Sequence, residues 1–197
     1  MKINISDNLD SLAKTFRDNS PFPHIVINDL LAERDAQNIR KSIMKEKFEK
    51  KHSDLFSLSQ TNDLSTTKDL ALKELYLLFS SKDFIRQISK ITGVSLKGKI
   101  DMAGSLYEDT DFLLCQDDRL EKRSIAYIYY LSSRFTEQDG GALALLSDKE
   151  GKPGEIVRRY IPVWNSMILF KVSSQSWHEV EEVLSAKKRY AIGGWFY

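Results

Sequence analysis

The feature that most constrains this chain is a change of hydrophobic period near its middle. Up to Gly93 the apolar residues recur every three or four positions. Beyond position 99 they fall into short runs broken by turn residues. The first pattern predicts amphipathic helices and the second predicts strands. In the first half, Leu9, Leu12, Ala13 and Phe16 lie at helical spacing behind Ser6 or Asp7 as a cap. Pro21-Phe22-Pro23 stops that helix, and 24–27 reads as a short β-branched strand. A helix over about 32–47 carries Ala36, Ile39, Ile43 and Met44 on one face. The stretch 50–63 is polar and turn-rich, with a candidate strand at 55–58. Two further helices carry Leu70, Leu72, Leu75, Leu78 and Phe79, then Phe84, Ile85, Ile88 and Ile91, the second closed by Gly93.

Strands are expected at 99–107, 112–115, 124–131, 142–146, 156–163, 167–172, 177–183 and 189–196. Asp139-Gly140-Gly141, Gly151-Lys152-Pro153-Gly154 and Trp164-Asn165-Ser166 supply turns between them. Many short strands at this spacing form a sandwich or barrel-like jelly roll. Helices gathered ahead of them pack on one face, which gives an α+β class. A length of 197 residues without repeat or linker predicts one domain over 1–197, with helical support in 1–97 and the β core in 98–197.

Composition narrows the function classes. A formal net charge of +1 supplies no bulk field for nucleic acid or a membrane surface, so neither partner is expected. The lone Cys115 excludes an intramolecular disulfide and a cysteine-rich zinc cluster, and fits a reducing compartment. No apolar run approaches the roughly 20 residues of a membrane span. Met1-Lys2-Ile3-Asn4 does not open a secretory segment. The expected location is the cytoplasm, or the nucleus as well in a eukaryote.

Few residues are left to carry chemistry. A three-histidine zinc site would need all of His24, His52 and His178, which sit in unlike contexts. No Gly-x-Ser-x-Gly elbow or phosphate-binding glycine loop is present. Cys115 follows an apolar run and lacks a basic neighbour to activate it. What remains is Gln116-Asp117-Asp118, His178 and Arg189. Asp118 and His178 lie 60 residues apart, Asp118 shortly after one predicted strand and His178 on another, compatible with part of a 2-His-1-carboxylate iron site. Arg189, on the next strand, can grip a carboxylate through its planar fork. Taken alone, an Asp, a His and an Arg on strands are more often surface or hydrogen-bonded core residues.

From Pro21 onward the chain resembles the ribosomal prolyl-hydroxylase family of 2-oxoglutarate/Fe(II) oxygenases. The resemblance rests on Pro21-Phe22-Pro23-His24, Asp54-Leu55-Phe56, the stretches 107–118 and 123–131, and Gly140-Gly141. It continues through Ile161-Pro162-Val163-Trp164-Asn165, Ser176-Trp177-His178-Glu179-Val180 and Gly194-Trp195-Phe196. It implies a double-stranded β-helix, Fe(II) and 2-oxoglutarate, with ascorbate as reductant. It implies a proline-containing protein or peptide as substrate, a small-subunit ribosomal protein in the eukaryotic members. Asp118 and His178 fall on metal-ligand positions and Arg189 on the residue that binds the far carboxylate of 2-oxoglutarate. Tyr130 and Tyr107 fall on pocket tyrosines; plain core packing is the alternative for both. Residues 50–63 match a mobile segment that covers the substrate, or form a solvated loop. Eukaryotic members carry a second, non-catalytic β-helix domain; its functions are not carried over to a sequence ending at Tyr197.

One position departs from the pattern. The metal motif of the family is His-x-Asp, and here it reads Gln116-Asp117-Asp118. A carboxamide oxygen is a weaker donor to iron(II) than an imidazole nitrogen. Three readings stay open: a ligand change in a working enzyme, a binding protein that has lost turnover, or an inactivating substitution.

Overall fold

Alternation along a few strands sorts the molecule into layers. In the computed structural model, which describes residues 1–5, 8–119 and 122–197, β6 (Ile125–Tyr130) is almost wholly buried. Ile125, Tyr127 and Tyr129 face the helices, while Ala126 and Tyr130 face the interior of a curled sheet. In β9 (Ser166–Lys171), Met167 and Leu169 face the helices, and Ile168 and Phe170 the interior. In β11 (Arg189–Phe196), Tyr190, Ile192 and Phe196 face outward, and Ala191 inward. A period of two with both faces apolar is what a sheet needs when it is covered on one side and closed on the other.

The remaining strands are β1 (His24–Ile27), β2 (Glu49–Ser53), β3 (Phe56–Gln60), β4 (Ala103–Tyr107), β5 (Phe112–Gln116), β7 (Leu143–Lys149), β8 (Lys152–Tyr160) and β10 (His178–Val180). They run in the order β1-β9-β6-β11-β4-β3-β5-β10-β7-β8, with β2 paired to β3. The pairings are antiparallel. The sheet curls into a half-barrel with the jelly-roll core expected from the strand pattern.

Four helices cover its outer face: α1 (Leu9–Asp18), α2 (Glu33–Ile43), α3 (Leu70–Phe79) and α4 (Lys82–Thr92). Phe16, Ile39, Leu75, Phe79 and Ile88 join Tyr127, Leu169 and Phe196 in one apolar cluster. Asn8 caps α1 by accepting from the Ser11 N–H at 3.0 Å; the expected cap at Ser6 or Asp7 lies outside the described residues. Gly93 closes α4 in the left-handed region at φ +70, as the sequence predicts. α2 ends at Ile43 rather than near 47. There the Lys45 and Glu46 N–H groups bond three residues back, to Ser42 and Ile43, and the chain turns into β2.

Two expectations need correction. Residues 50–63 form the hairpin β2–β3 and the turn that follows it, rather than an irregular loop with one strand. The buried positions of β3 are Ser57 and Ser59, so its polarity runs opposite to its burial and hides the alternation. The tetrapeptide 151–154 is not a turn either. The turn sits at Glu150-Gly151, both with positive φ, and Asp148 accepts the Gly151 N–H at 3.2 Å. Lys152, Pro153 and Gly154 belong to β8, an edge strand that tolerates the proline.

Candidate active site

β11 lies between β4 and β6, and its register sets the first half of the site. Arg189 pairs with Tyr107 on β4, and Ala191 pairs with Tyr130 on β6. The guanidinium carbon of Arg189 lies 4.9 Å from the Tyr107 ring centroid and 5.2 Å from that of Tyr130. Arg189 is 1% exposed, a costly place for a cation. Its Nε donates to the Gly141 carbonyl at 2.8 Å, but Nη2 is buried without a partner, as is the Tyr130 hydroxyl. Burial raises the Tyr130 phenol, against the opposing pull of Arg189, and pushes Tyr107 up to about 12. Both phenols therefore stay protonated and can donate at neutral pH.

β10 sets the second half. It runs between β5 and β7, and His178 pairs with Gln116 across the ladder. His178 Nδ1 lies 2.8 Å from the Ser176 carbonyl, which can only accept, so Nδ1 carries a proton and Nε2 is the nitrogen turned toward Asp118. Nε2 is 3.4 Å from Asp118 Oδ2. Asp118 follows β5 with φ +60 and is 8% exposed. Its Oδ1 accepts from Gln116 Nε2 at 3.0 Å and its Oδ2 from Trp195 Nε1 at 3.1 Å. Arg123 Nη1 approaches Oδ1 at 3.8 Å, and its guanidinium lies 3.5 Å from the Trp195 ring centroid. Burial pushes the Asp118 carboxyl up, but His178, Trp195 and Arg123 outweigh it and hold it below the usual carboxylate range.

A cavity of about 600 Å³ joins the halves, with Tyr107, Gln116, Asp118, His178 and Arg189 in its wall. Tyr130 meets this wall beside Arg189. Leu58, Leu143, Phe170 and Val180 make the lining largely apolar, and Lys51 and Gln60 bring β2 and β3 to it. The size and mixed lining suit a small organic ligand. All six predicted site residues are brought together. The hairpin predicted as a cover forms one side of the cavity.

The groups implied by the resemblance can be tested against these side chains. A carboxylate fits beside Arg189, where a guanidinium N–H and a phenol O–H are buried and unpartnered. A divalent cation fits in part. Asp118 Oδ2 and His178 Nε2 lie 3.4 Å apart, a harder and a borderline donor type that suit iron(II) once Nε2 is free of a proton. Gln116 adds a neutral carboxamide whose nitrogen is engaged with Asp118. Among the described residues, no three His, Cys, Asp or Glu side chains gather into a fuller ligand set. His24 is spent on the Phe22 carbonyl and the Tyr160 hydroxyl, and His52 is exposed on β2. Burial, with Glu179 and Asp117 nearby, raises the Cys115 thiol to about 11, which leaves it unreactive.

Trp195 and Arg123 lie in the matching stretches, but the sequence alone gives neither a role. Trp195 could have been found, because 189, 191, 193 and 195 share one face of a strand. Arg123 precedes β6 and reaches Asp118 only through the fold.

Comparison with known proteins adds to the geometry. Residues 102–197 match the family model described as the 2OG-Fe(II) oxygenase superfamily. Prolyl 3-hydroxylase OGFOD1 of Xenopus laevis is 40% identical over 184 residues, covering 91% of this chain and 36% of that protein. The chain thus spans about a third of the length of that curated relative. A Pseudomonas putida prolyl-4-hydroxylase superposes with a TM-score of 0.75 at 16% identity, covering 94% of this chain and 97% of that one. A Trichoplax adhaerens prolyl hydroxylase, in complex with a hypoxia inducible factor peptide fragment, superposes with a TM-score of 0.74 at 16% identity, covering 96% and 90%. Fold, sequence and site chemistry agree: residues 102–197 form a 2OG-Fe(II) oxygenase domain.

Proposed function

We propose that the chain is a 2-oxoglutarate- and Fe(II)-dependent hydroxylase of prolyl residues in a protein, with a metal hold weakened at Gln116. One observation carries this reading: the unpartnered Nη2 of Arg189 and the unpartnered hydroxyl of Tyr130, beside the cavity wall that holds Asp118 and His178. In this reading residues 1–197 act as one oxygenase domain, the helical layer supporting the β core. Asp118 and His178 hold the metal and Gln116 reaches it weakly through its carboxamide oxygen. Arg189 clasps the far carboxylate of 2-oxoglutarate with Tyr130 donating beside it, and Tyr107 walls the same end. When bound, iron and 2-oxoglutarate supply an oxidant for a C–H bond as the co-substrate is decarboxylated to succinate. The chain positions the acid, excludes water with its apolar lining, and fixes the His178 tautomer through Ser176.

The names of the relatives support a prolyl ring as the oxidised group, and that of the Xenopus protein supports its C3. A small-subunit ribosomal protein as target, and ascorbate as reductant, extend the family resemblance. The test follows succinate with iron, ascorbate, 2-oxoglutarate and a proline-bearing peptide. Turnover above background supports the reading; none at saturating iron overturns it. In Gln116→His, metal affinity should rise by at least the roughly 10–100-fold that even outer contacts are worth, and turnover with it.

The Gln116–Asp118 hydrogen bond favours a second reading, a pseudo-oxygenase that binds 2-oxoglutarate or a peptide without turnover. Calorimetry then shows 2-oxoglutarate binding that Arg189→Ala abolishes, with no succinate formed in the parent protein. Binding that survives Arg189→Ala counts against both readings.

A further inference from the structure

A second cavity, of about 360 Å³, opens where α2 meets the loops after β6 and before β9. It shares no lining residue with the active-site cavity. α2 contributes Glu33, Gln37, Arg40 and Lys41, which fall on one helical face; Ser133, Arg134 and Trp164 complete it.

Its charge is unbalanced. Three cations face one carboxylate, and that carboxylate is already occupied. Glu33 Oε2 accepts from Trp164 Nε1 at 2.9 Å and Oε1 from Gln37 Nε2 at 2.8 Å, which lowers its pKa and keeps it ionised. Among the described residues, Arg40, Lys41 and Arg134 form no ion pair. Arg40 is half-buried, and its Nε is shielded from water with no hydrogen-bond partner. Such a group calls for an anion.

The frame around it is fixed. Asn165, 1% exposed, accepts from Tyr129 Oη at 2.9 Å and from the Leu31 N–H at 3.1 Å, and donates to the Leu31 carbonyl at 2.8 Å. Its neighbour Trp164 is tied to Glu33, so the indole has one orientation. Arg134 stands at φ +64, and its carbonyl is held by Lys187 Nζ at 2.6 Å. Lys187 is itself anchored on Asp139 at 2.7 Å.

Size and lining then select the anion. The volume exceeds what a bare phosphate needs and lies near the lower end, about 300 Å³, for pockets that take small organic molecules. Arginine with lysine suits a phosphate dianion, and an indole suits a planar ring. We propose that this cavity binds a phosphorylated small molecule of mononucleotide size, with its phosphate on Arg40, Lys41 and Arg134 and its ring against Trp164. The basic charge is local to these three side chains and the whole chain is near neutral, which favours a small ligand over a nucleic-acid strand.

The test titrates the full chain with AMP, inorganic phosphate and adenosine, read by calorimetry. AMP should bind one to one, at least tenfold more tightly than either part. The double variant Lys41→Glu/Arg134→Glu should lose at least tenfold in AMP affinity with an unchanged melting temperature, and Arg189→Ala should bind AMP like the parent. Retention of that binding in Arg189→Ala separates this site from the active-site reading, whatever becomes of the latter. The proposal is overturned by no AMP heat at millimolar concentration, by equal affinity in the double variant, or by loss in Arg189→Ala. A single-stranded RNA 20-mer that binds more tightly than AMP, with steep salt dependence, also overturns it in favour of a polymer.

Discussion

At Gly141 the backbone takes φ +66, and a Cβ built there would meet Val183 Cγ2 at 3.1 Å and Arg189 Cδ at 3.2 Å. The same residue offers the carbonyl that holds Arg189 Nε. One glycine thus both makes room for the arginine and aims it. Gly141→Ala should cost roughly 1–2 kcal/mol for the left-handed backbone alone. It should also weaken 2-oxoglutarate binding beyond that of a surface glycine substitution of equal stability cost, such as Gly151→Ala at φ +78 in open space. Paired melting and calorimetry check this, and equal binding in the two variants removes the aiming role. Much of this neighbourhood was legible beforehand. His178 and Arg189 lie on predicted strands and Asp118 follows one, and all three stand out through the matching stretches around them, as Gln116 does because matching residues flank it. Arg123 was not legible, since its approach to Asp118 depends on how β6 is entered, which local spacing does not encode.

Among the elements, the hairpin β2–β3 depends on one buried carboxylate. Asp111 Oδ1 accepts from Ser57 Oγ at 2.6 Å and pairs with Lys50, and Oδ2 accepts from the Glu108 N–H at 3.0 Å. Burial pushes this carboxyl up, but Lys50, Ser57 and the Glu108 amide outweigh it and hold its pKa below the usual range. A lowered folded pKa contributes stability that is present above the unfolded value of about 3.9 and is lost as pH falls through the folded one. The hairpin should therefore be firm at neutral pH and loosen below about pH 4. Asp111→Asn should cost roughly 1.5–3 kcal/mol, as hydrogen bonds to a charged group do, and flatten that acid slope. Hydrogen exchange of the β2 and β3 amides across pH reads both effects. The hairpin escaped the sequence pattern for a physical reason: four of the five β2 residues are exposed and the buried residues of β3 are serines. By contrast β6, β9 and β11 were legible because both their faces are apolar.

For the whole molecule, the helical layer and the ligand cavity lie on opposite faces of the same strands. Phe79 is fully buried on the helical side, with ring centroids 5.0 Å from Phe84, 5.7 Å from Tyr127 and 6.3 Å from Tyr129. Phe79→Ala should lower global stability by about 3–5 kcal/mol in denaturant unfolding. Folded protein should still bind 2-oxoglutarate with parental affinity, because Tyr130 and Arg189 face the other way. An affinity loss matching the stability loss would show that the two faces are mechanically coupled.

The burial of Arg189 also bears on timing. The residue is 1% exposed, while Lys51, in the same cavity wall, keeps about half its side chain in solvent. In the proposed hydroxylase, a polypeptide resting on the Lys51 side of the cavity would lie outside a small acid held at Arg189. So seated, it would close that route to entry and to escape alike. The proposal then implies an order of arrival: the acid first, the polypeptide second. Excess polypeptide should then slow the cycle by trapping chains that have not yet taken up the acid, a kinetic signature visible in initial-rate plots.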